Sequence, residues 1–363
     1  MELKKCRDCG VPLYLSRNYR WKEGGYILAA RDPDSRMVFE EADFYGFIWE
    51  ELERLLGILA PEVISRTQKL VLRDYMDGHI LYGWRKWAIR MLPLRPFIAG
   101  VIRQSTAFGL GRFEYVDHRK GKYLVLRVRK PFHLPTIAEA LREMMVSLRG
   151  TDYELAWTKE DGGYVINLLS RPGRRPLPLD KENLMTLRRA KTEVMGGPVP
   201  EGGRTQERCP SCGLPAGLSQ LEWREEEGTV VFKPTGARYV FVTSHVFPGV
   251  VKELERLTGR DLSSLVIELS RIYHRHSLRS VRLGSRGGTY EALARYSEAA
   301  GWGKVLDYSH GPGYLEVRLA NPYHVPRLLG RFAAVFERLE GQEAEVSWES
   351  EGPRLIRALF RAA

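Results

Sequence analysis

Residues 6–12 of the chain read Cys-Arg-Asp-Cys-Gly-Val-Pro, and residues 209–215 read Cys-Pro-Ser-Cys-Gly-Leu-Pro. Both stretches have the pattern Cys-x-x-Cys-Gly. Glycine adopts backbone conformations that other residues avoid, so it permits the tight turn that directs both thiolates toward one metal ion. All four cysteines of the chain lie in these two stretches. The sequence therefore carries the same half of a metal-binding pattern twice.

The likeness between the two parts of the chain continues beyond the cysteines and keeps the same order. The matched segments are residues 44–57 with 247–259, residues 109–112 with 301–304, and residues 123–135 with 314–326. Ordered matches of this kind predict an internal duplication. We predict two homologous α/β domains, at residues 1–170 and 204–363, related by a pseudo-twofold axis. The Pro-, Gly- and Arg-rich residues 171–203 are predicted to form a linker with a short helix at 181–190.

Each copy is predicted to combine helices with sheet, which makes the fold class α+β. After the cysteine turn, alternating residues around Trp21 and Trp223 predict a β-hairpin. An amphipathic helix then ends at Gly57 or Gly259. A second helix, two strands, a third helix and a closing pair of strands complete each copy. The Gly-x-Gly after the second helix predicts a turn, because a dinucleotide-binding motif needs a third glycine and a following helix.

One zinc ion held by Cys6, Cys9, Cys209 and Cys212 is the simplest prediction for the cysteines, because structural zinc takes four ligands and each copy supplies two. Such an ion would be shared between the copies, with one ion per chain. A thioredoxin-like redox pair is disfavoured, since that chemistry needs the cysteines at a helix N-terminus. The alternatives left open are a metal shared between molecules, a metal completed by histidine, and no metal.

General features of the sequence predict a cytoplasmic protein. The chain has no apolar run long enough for a transmembrane helix, and its start lacks the apolar core of a signal peptide. Paired cysteines without further ones fit a reducing compartment, where thiols stay free to bind metal. The protein is expected to be a monomer with pseudo-dimeric repeats or a homo-oligomer.

The formal net charge of +11 is concentrated in two segments. Residues 66–103 hold eight Lys or Arg against two acids, and residues 271–286 hold five Arg and no acid. This predicts either an anionic partner or a basic face in solvent. Aromatic residues lie among the charges, as in proteins that bind single-stranded nucleic acid or that line an apolar ligand pocket. The candidate ligand-binding residues in these segments are Arg73, Tyr75, Trp84, Arg85, Trp87, Tyr273, Arg275 and Arg279.

His133 and His324 are the only histidines at matching positions of the two copies. Two roles are open for them: a catalytic or ligand-binding role, or a hydrogen bond within the strand-to-helix turn where they lie. We keep both as candidate ligand-binding residues. The sequence has no nucleophile elbow, Walker loop or His-Glu-x-x-His motif. We therefore assign no catalytic residue, and the sequence does not favour an enzyme.

Each copy resembles the 4-vinyl-reductase-type domain, also described as a hydrocarbon-binding domain. The resemblance rests on the helix that ends at Gly57 or Gly259, the Gly-x-Gly that follows, and the strand that leads to Asn321-Pro322 in the second copy. It implies small α/β domains that pair as dimers and hold apolar or aromatic ligands between helices and sheet. Some members of that family are sensors with a zinc ion near the pocket. Members often carry cysteines toward the C-terminal end of the domain, so their metal position does not transfer to this chain.

Three hypotheses about function follow. The first is a zinc-stapled module that binds or senses a small, partly apolar ligand with an anionic head group, without catalysis. The second is a nucleic-acid-binding protein that uses residues 66–103 and 271–286 as one basic surface. The third is an enzyme that acts through His133 and His324.

Overall fold

The computed structural model describes residues 3–57, 60–76, 94–174, 176, 181–197, 206–279 and 281–363. We call residues 3–174 the first half and residues 206–363 the second half. The elements of the first half are α1 (Leu13–Asn18), β1 (Tyr19–Lys22), β2 (Tyr26–Ala29), β3 (Asp32–Glu41), α2 (Ala42–Leu56), α3 (Ala60–Tyr75), α4 (Leu94–Phe108), β4 (Arg112–Arg119), β5 (Tyr123–Arg129), α5 (Leu134–Arg149), β6 (Asp152–Glu160) and β7 (Gly163–Arg171).

Helix α6 (Lys181–Val194) follows the first half along the chain. The second half begins with a 3-10 helix at Ala216–Gln220. Its further elements are β8 (Leu221–Arg224), β9 (Thr229–Phe232), β10 (Arg238–Thr243), α7 (Val246–Thr258), α8 (Ser263–Ser277), α9 (Arg286–Ala300), β11 (Lys304–Gly311), β12 (Tyr314–Ala320), α10 (Val325–Glu340), β13 (Ala344–Gly352) and β14 (Leu355–Ala362).

A six-stranded antiparallel sheet in the order β1-β2-β3-β10-β9-β8 joins the two halves. Each half supplies a hairpin and a third strand, and the third strands β3 and β10 pair with each other. Strand β10 reads Arg-Tyr-Val-Phe-Val-Thr, and such β-branched and aromatic residues favour a buried strand. Phe39 lies opposite Phe241 in this pairing, with ring centroids 4.5 Å apart. Both rings are fully buried, so the junction of the halves is part of the hydrophobic core.

The hairpin of each half packs against the other half. The indole Nε1 of Trp21 donates to the carbonyl oxygen of Ala299 in α9 over 2.8 Å. The indole Nε1 of Trp223 donates to the carbonyl oxygen of Ala107 in α4 over 2.9 Å. A buried indole N–H needs an acceptor of this kind. The two tryptophans therefore fix each hairpin to a helix of the opposite half.

An arginine in each third strand links the halves further. Arg36 in β3 is fully buried and donates to the carbonyl oxygens of Gly301 and Asn321, each over 2.8 Å. Arg238 in β10 makes the corresponding contacts, with the carbonyl oxygens of Gly109 at 2.9 Å and Lys130 at 2.7 Å. Hydrogen bonds from a charged donor are stronger than neutral ones, and losing the donor would leave buried carbonyl groups without a partner. Each arginine therefore holds two loops of the opposite half against the central sheet.

Each half also has an outer four-stranded sheet covered by a helix. The strand orders are β4-β5-β7-β6 and β11-β12-β14-β13, so the two outer sheets have the same connectivity. Helix α5 packs on the first outer sheet through Ile137, Leu141, Met144 and Leu148, which lie on one face at helical spacing. Helix α10 packs on the second outer sheet in the same way. The outer sheets thus have cores separate from that of the central sheet.

The predicted mixture of helix and sheet is confirmed. Helix α6 includes the short helix predicted at 181–190, and its Leu187 packs against Val71 and Val246. In the described part of the chain, no helix has the length and apolar character that crossing a membrane requires. The third strands β3 and β10 were not predicted. The order of elements is the same in both halves, which agrees with a duplication; common origin of the halves stays a prediction.

The turn of the second hairpin provides a test of how closely the halves pack. The amide of Gly111 donates to the carbonyl oxygen of Gly228 over 3.0 Å, and a Cβ on Gly228 would overlap the Gly111 backbone. Gly121 has a similar positive φ, 71° against 65° for Gly228, but no atom lies near the place of its Cβ. Alanine at either position has the strain of a positive φ, about 1 kcal/mol. Only Gly228→Ala also disturbs the contact between the halves.

We expect Gly228→Ala to lower the free energy of unfolding by at least ~2 kcal/mol more than Gly121→Ala, as measured by urea denaturation. Equal losses for the two variants would contradict close packing of the second hairpin on the first half.

Candidate functional site

We call residues 6–10 and 209–213 the first and second knuckles. Each is a turn closed by backbone hydrogen bonds. The amide of Cys6 donates to the carbonyl oxygen of Val11 over 2.9 Å, and the amide of Gly10 donates to that of Cys6 over 3.0 Å. Gly10 has φ 73°, in the left-handed region that favours glycine. The second knuckle repeats both bonds, with donors Cys209 and Gly213 and lengths of 2.8 and 2.9 Å. The glycine after each cysteine pair therefore closes the turn, as predicted.

The two knuckles face each other. The Sγ atoms of Cys6 and Cys209 are 3.7 Å apart, those of Cys9 and Cys212 are 3.5 Å apart, and all four lie within 4.8 Å of one another. A tetrahedral ion with zinc–sulfur bonds of about 2.3 Å places its sulfur ligands about 3.8 Å apart. A disulfide would need a sulfur–sulfur distance of about 2.05 Å. The four thiols therefore could hold one metal ion, and a set of four sulfur ligands suits zinc or iron.

Backbone amides and burial act in opposite directions on these thiols. The amide of Cys9, with a smaller contribution from that of Asp8, outweighs burial and lowers the pKa of Cys6 to about 7. Burial raises the pKa of Cys9, and it raises that of Cys212 in the same way. Metal ligation requires the thiolate form, and a bound cation favours that form. The donor set thus fits a metal ion that offsets the burial of several thiolates.

Side chains next to the cysteines hold each knuckle on the hairpin of the opposite half. The Lys5 ammonium lies 2.7 Å from the Glu225 carboxylate, beside β8. In the matching place, the guanidinium of Arg208 donates to the carbonyl oxygen of Trp21 in β1 over 3.3 Å. The crossing of the hairpins is therefore what brings cysteines from distant parts of the chain to one point.

The two candidate histidines occupy the N-cap positions of helices α5 and α10, and only His324 accepts a hydrogen bond from a helix amide. Nδ1 of His324 accepts a hydrogen bond from the amide of Arg327 over 3.3 Å, and Nδ1 of His133 lies 2.6 Å from the hydroxyl oxygen of Thr136. Burial lowers the pKa of His133 to about 4. Burial, aided by Arg327 and Lys252, lowers the pKa of His324 to about 3. Both histidines are therefore neutral at pH 7 and bond within the turn, the second of the two roles considered from the sequence.

The candidate residues of segment 271–286 do not meet at one site. Tyr273 is half-buried, with its ring edge-on to that of Phe44 and the centroids 5.2 Å apart. Arg275 pairs with Glu337 at 3.5 Å, and Arg279 is exposed. These three side chains have different surroundings, so a shared ligand is not supported by their placement.

The candidate residues of segment 66–103 are described only in part. Arg73 is buried and donates to the Glu143 carboxylate over 3.0 and 2.6 Å, so its charge is balanced inside the protein. Tyr75 is 37% exposed at the end of α3. Trp84, Arg85 and Trp87 lie outside the described residues. A continuous basic surface stays a prediction.

An apolar cavity of about 170 Å³ lies between the two halves. We call it the first cavity. Its walls come from the β3–β10 junction and from helices α2, α3, α4, α5 and α7, and they include Tyr45, Trp49 and Phe241. Oε1 of Gln68 is buried on this wall and has no hydrogen-bond partner among the described residues. The first cavity therefore combines a mostly apolar lining with a buried amide oxygen that lacks a partner among the described residues.

Two buried ion pairs between the halves were not found by sequence reasoning. Arg327 pairs with Glu40, and the guanidinium of Arg331 lies 2.9 Å from the Glu41 carboxylate. The Arg327 guanidinium also lies 3.8 Å from the centroid of the Phe44 ring. Three of the four charged side chains are nearly inaccessible to solvent, and the Arg331 side chain is 14% exposed. The only signal available was that the apolar run Met-Val-Phe at 37–39 ends in two glutamates.

The lowered pKa of His324 predicts that the stability of the protein depends on pH. In the unfolded chain a histidine has a pKa of about 6.5, so it binds a proton below that pH while buried His324 does not. The contribution of neutral His324 to the free energy of unfolding is therefore fully present above pH 6.5. It is lost as the pH falls from 6.5 toward the folded pKa of about 3. We expect His324→Asn, which keeps a capping side chain, to reduce the loss of unfolding free energy between pH 6.5 and 4.5 by ~2 kcal/mol. The control is His276→Asn at an exposed position of α8, and an unchanged pH profile in His324→Asn would contradict the interpretation.

Comparison of the chain with protein-family models, with curated proteins and with solved structures finds no match in any of the three.

Proposed function

We propose that the protein is a zinc-stapled module that binds a small apolar molecule without catalysing a reaction on it. One zinc ion would be held by Cys6, Cys9, Cys209 and Cys212 and would join the two halves. The ligand would occupy the first cavity. The proposal includes an origin of the two halves by duplication and a likeness to the hydrocarbon-binding domain.

The first cavity is the observation that carries the binding function. An engineered cavity of about 150 Å³ lined by apolar side chains takes up benzene, so about 170 Å³ suits a ligand with a single ring. Both halves contribute to its wall, through Met37 and Val242 among others. A ligand there would contact both halves at once and so would report on how they are joined. The zinc site supports that arrangement by linking the same two halves at another place.

The anionic head group predicted for the ligand has less support than its apolar character. The wall of the first cavity includes no Lys or Arg among the described residues, and Arg73 is paired with Glu143. The nucleic-acid hypothesis is weakened in the same way, because Arg271 and Arg286 pair with glutamates at 3.0 and 2.5 Å. An apolar ligand is therefore the best-supported choice.

Metal analysis tests the proposed zinc site shared between the halves. Elemental analysis of the purified chain by mass spectrometry is expected to find one zinc per chain and no iron. Cys6→Ser and Cys209→Ser should each lose the metal and lower the thermal unfolding midpoint, because zinc binding contributes to folding free energy. Ser211→Ala, at an exposed position of the second knuckle, is the control and should keep the metal. Two zinc ions per chain, iron in place of zinc, or no metal would refute the shared zinc site.

Toluene is a suitable probe for the first cavity. We expect saturating toluene to raise the thermal unfolding midpoint by a few degrees, because a ligand that binds only the folded chain stabilises it. Ala140→Leu places extra volume in the first cavity and should remove this stabilisation. Ala99→Leu, at an exposed position of α4 away from the first cavity, should leave it unchanged. If toluene stabilises neither the natural chain nor the control, or stabilises all three chains equally, ligand binding in the first cavity is disproved.

A further inference from the structure

A second cavity, of about 290 Å³, is lined by residues of the second half and by Glu41 of the first half. Its walls come from helices α8, α9 and α10, from residues 281–284 and from the turn between β9 and β10. Leu278, Val281 and Val335 make part of the wall apolar, whereas Glu41 and His274 make one end polar. The second cavity is thus amphipathic, unlike the first.

His274 is the unusual group at the polar end. It is 2% exposed, and its ring lies parallel to that of Phe44, with an interplanar angle of 3° and centroids 5.9 Å apart. Its Nδ1 is 3.8 Å from Oε2 of Glu41. Its Nε2 is buried and has no hydrogen-bond partner in the described parts of the chain. A buried nitrogen without a partner has a free-energy cost, which a bound hydrogen-bonding group would remove.

The surroundings of His274 determine what its Nε2 can bind. Burial opposes the charge of Glu41, but the Arg331 guanidinium and the hydrogen bond from the Tyr239 hydroxyl favour it, and the pKa of Glu41 is lowered to about 2. Burial lowers the pKa of His274 to about 3, so the imidazole is neutral at pH 7. A carboxylate beside Nδ1 favours the tautomer with the proton on Nδ1. Nε2 then carries the lone pair and accepts a hydrogen bond.

We propose that the second cavity is a separate ligand site, which takes a small neutral molecule with an apolar body and a hydroxyl group that donates to Nε2 of His274. The apolar body lies against Leu278, Val281 and Val335, and the ring of Tyr296 adds an aromatic surface. The size of the cavity admits a ligand with two fused rings. Arg331 holds Glu41 in place from the other side, at 2.9 Å, and acts as a positioning residue.

The two halves differ at the positions that decide this chemistry. Three and seven residues after His133, the first half has Thr136 and Ala140, which line the first cavity. Three and seven residues after His324, the second half has Arg327 and Arg331. Ion pairs therefore occupy, in the second half, the place that the first half leaves apolar. The hydrogen-bond acceptor of the proposed site comes from the second half and its carboxylate, Glu41, from the first half. The site does not depend on ligand binding in the first cavity.

Matched probes test the second site. We propose to measure the binding of 2-naphthol and of 2-methoxynaphthalene, which lacks the hydroxyl hydrogen, by isothermal titration calorimetry with the full chain carrying Ala140→Leu. That substitution fills the first cavity, so binding at the second site is measured separately from the toluene response. The naphthol is expected to bind about tenfold more tightly than its methyl ether, the effect of one buried hydrogen bond.

His274→Phe keeps a ring beside Phe44 and removes the acceptor, so it should abolish the preference for naphthol and leave the affinity for the ether. His276→Phe is the matched control at an exposed position of the same helix and should keep the preference. If His274→Phe does not fold, Ala292→Trp at the exposed rim gives a second test, because it should abolish binding of both probes. Equal affinities for the two probes, a preference that survives in His274→Phe, or tight binding by Ala292→Trp would falsify the proposal.

Discussion

Backbone hydrogen bonds between β3 and β10 run through the middle of the six-stranded sheet, with Phe39 and Phe241 facing each other at its centre. From this strand pairing each hairpin extends over the opposite half, where Trp21 and Trp223 donate hydrogen bonds to helices of that half. The meeting of the knuckles and the wall of the first cavity both depend on that crossing. Loss of the β3–β10 pairing would therefore both separate the two pairs of cysteines and open the first cavity.

The two halves have the same order of helices and strands but differ in the side chains of their interiors. A histidine occupies the N-cap position of the helix over each outer sheet, and the next turns carry small residues in one half and two arginines in the other. Buried ion pairs have a high desolvation cost and often add little net stability. Of the two pairs, Arg331–Glu41 lines the second cavity, where it places a carboxylate beside Nδ1 of His274. The asymmetry thus gives one fold two chemically different interiors.

Local patterns predicted much of this arrangement. The Cys-x-x-Cys-Gly repeats identified four residues that lie together, the glycines marked the turns, and the Gly-x-Gly was correctly placed between helix and strand. The third strands were missed because β3 pairs with β10, which begins about two hundred residues later at Arg238. The residue periodicity of a strand does not reveal which strand it pairs with. Glu40 and Glu41 were missed for a related reason: their cations lie on α10, nearly three hundred residues later. Sequence patterns of one repeat therefore predict its elements, but not the contacts that cross to the other repeat.

The crossed hairpins also bear on how the chain matures. During synthesis the first half emerges with β3 as an open sheet edge and with only Cys6 and Cys9 of the thiol cluster, because β10 and the second knuckle follow about two hundred residues later. Unpaired edges recruit other strands, and contacts so distant in sequence form late and slowly. Two nascent first halves present the same antiparallel edge to each other. Assembly within one chain therefore competes with exchange between chains, and the four thiols come together only when the second half has paired with the first.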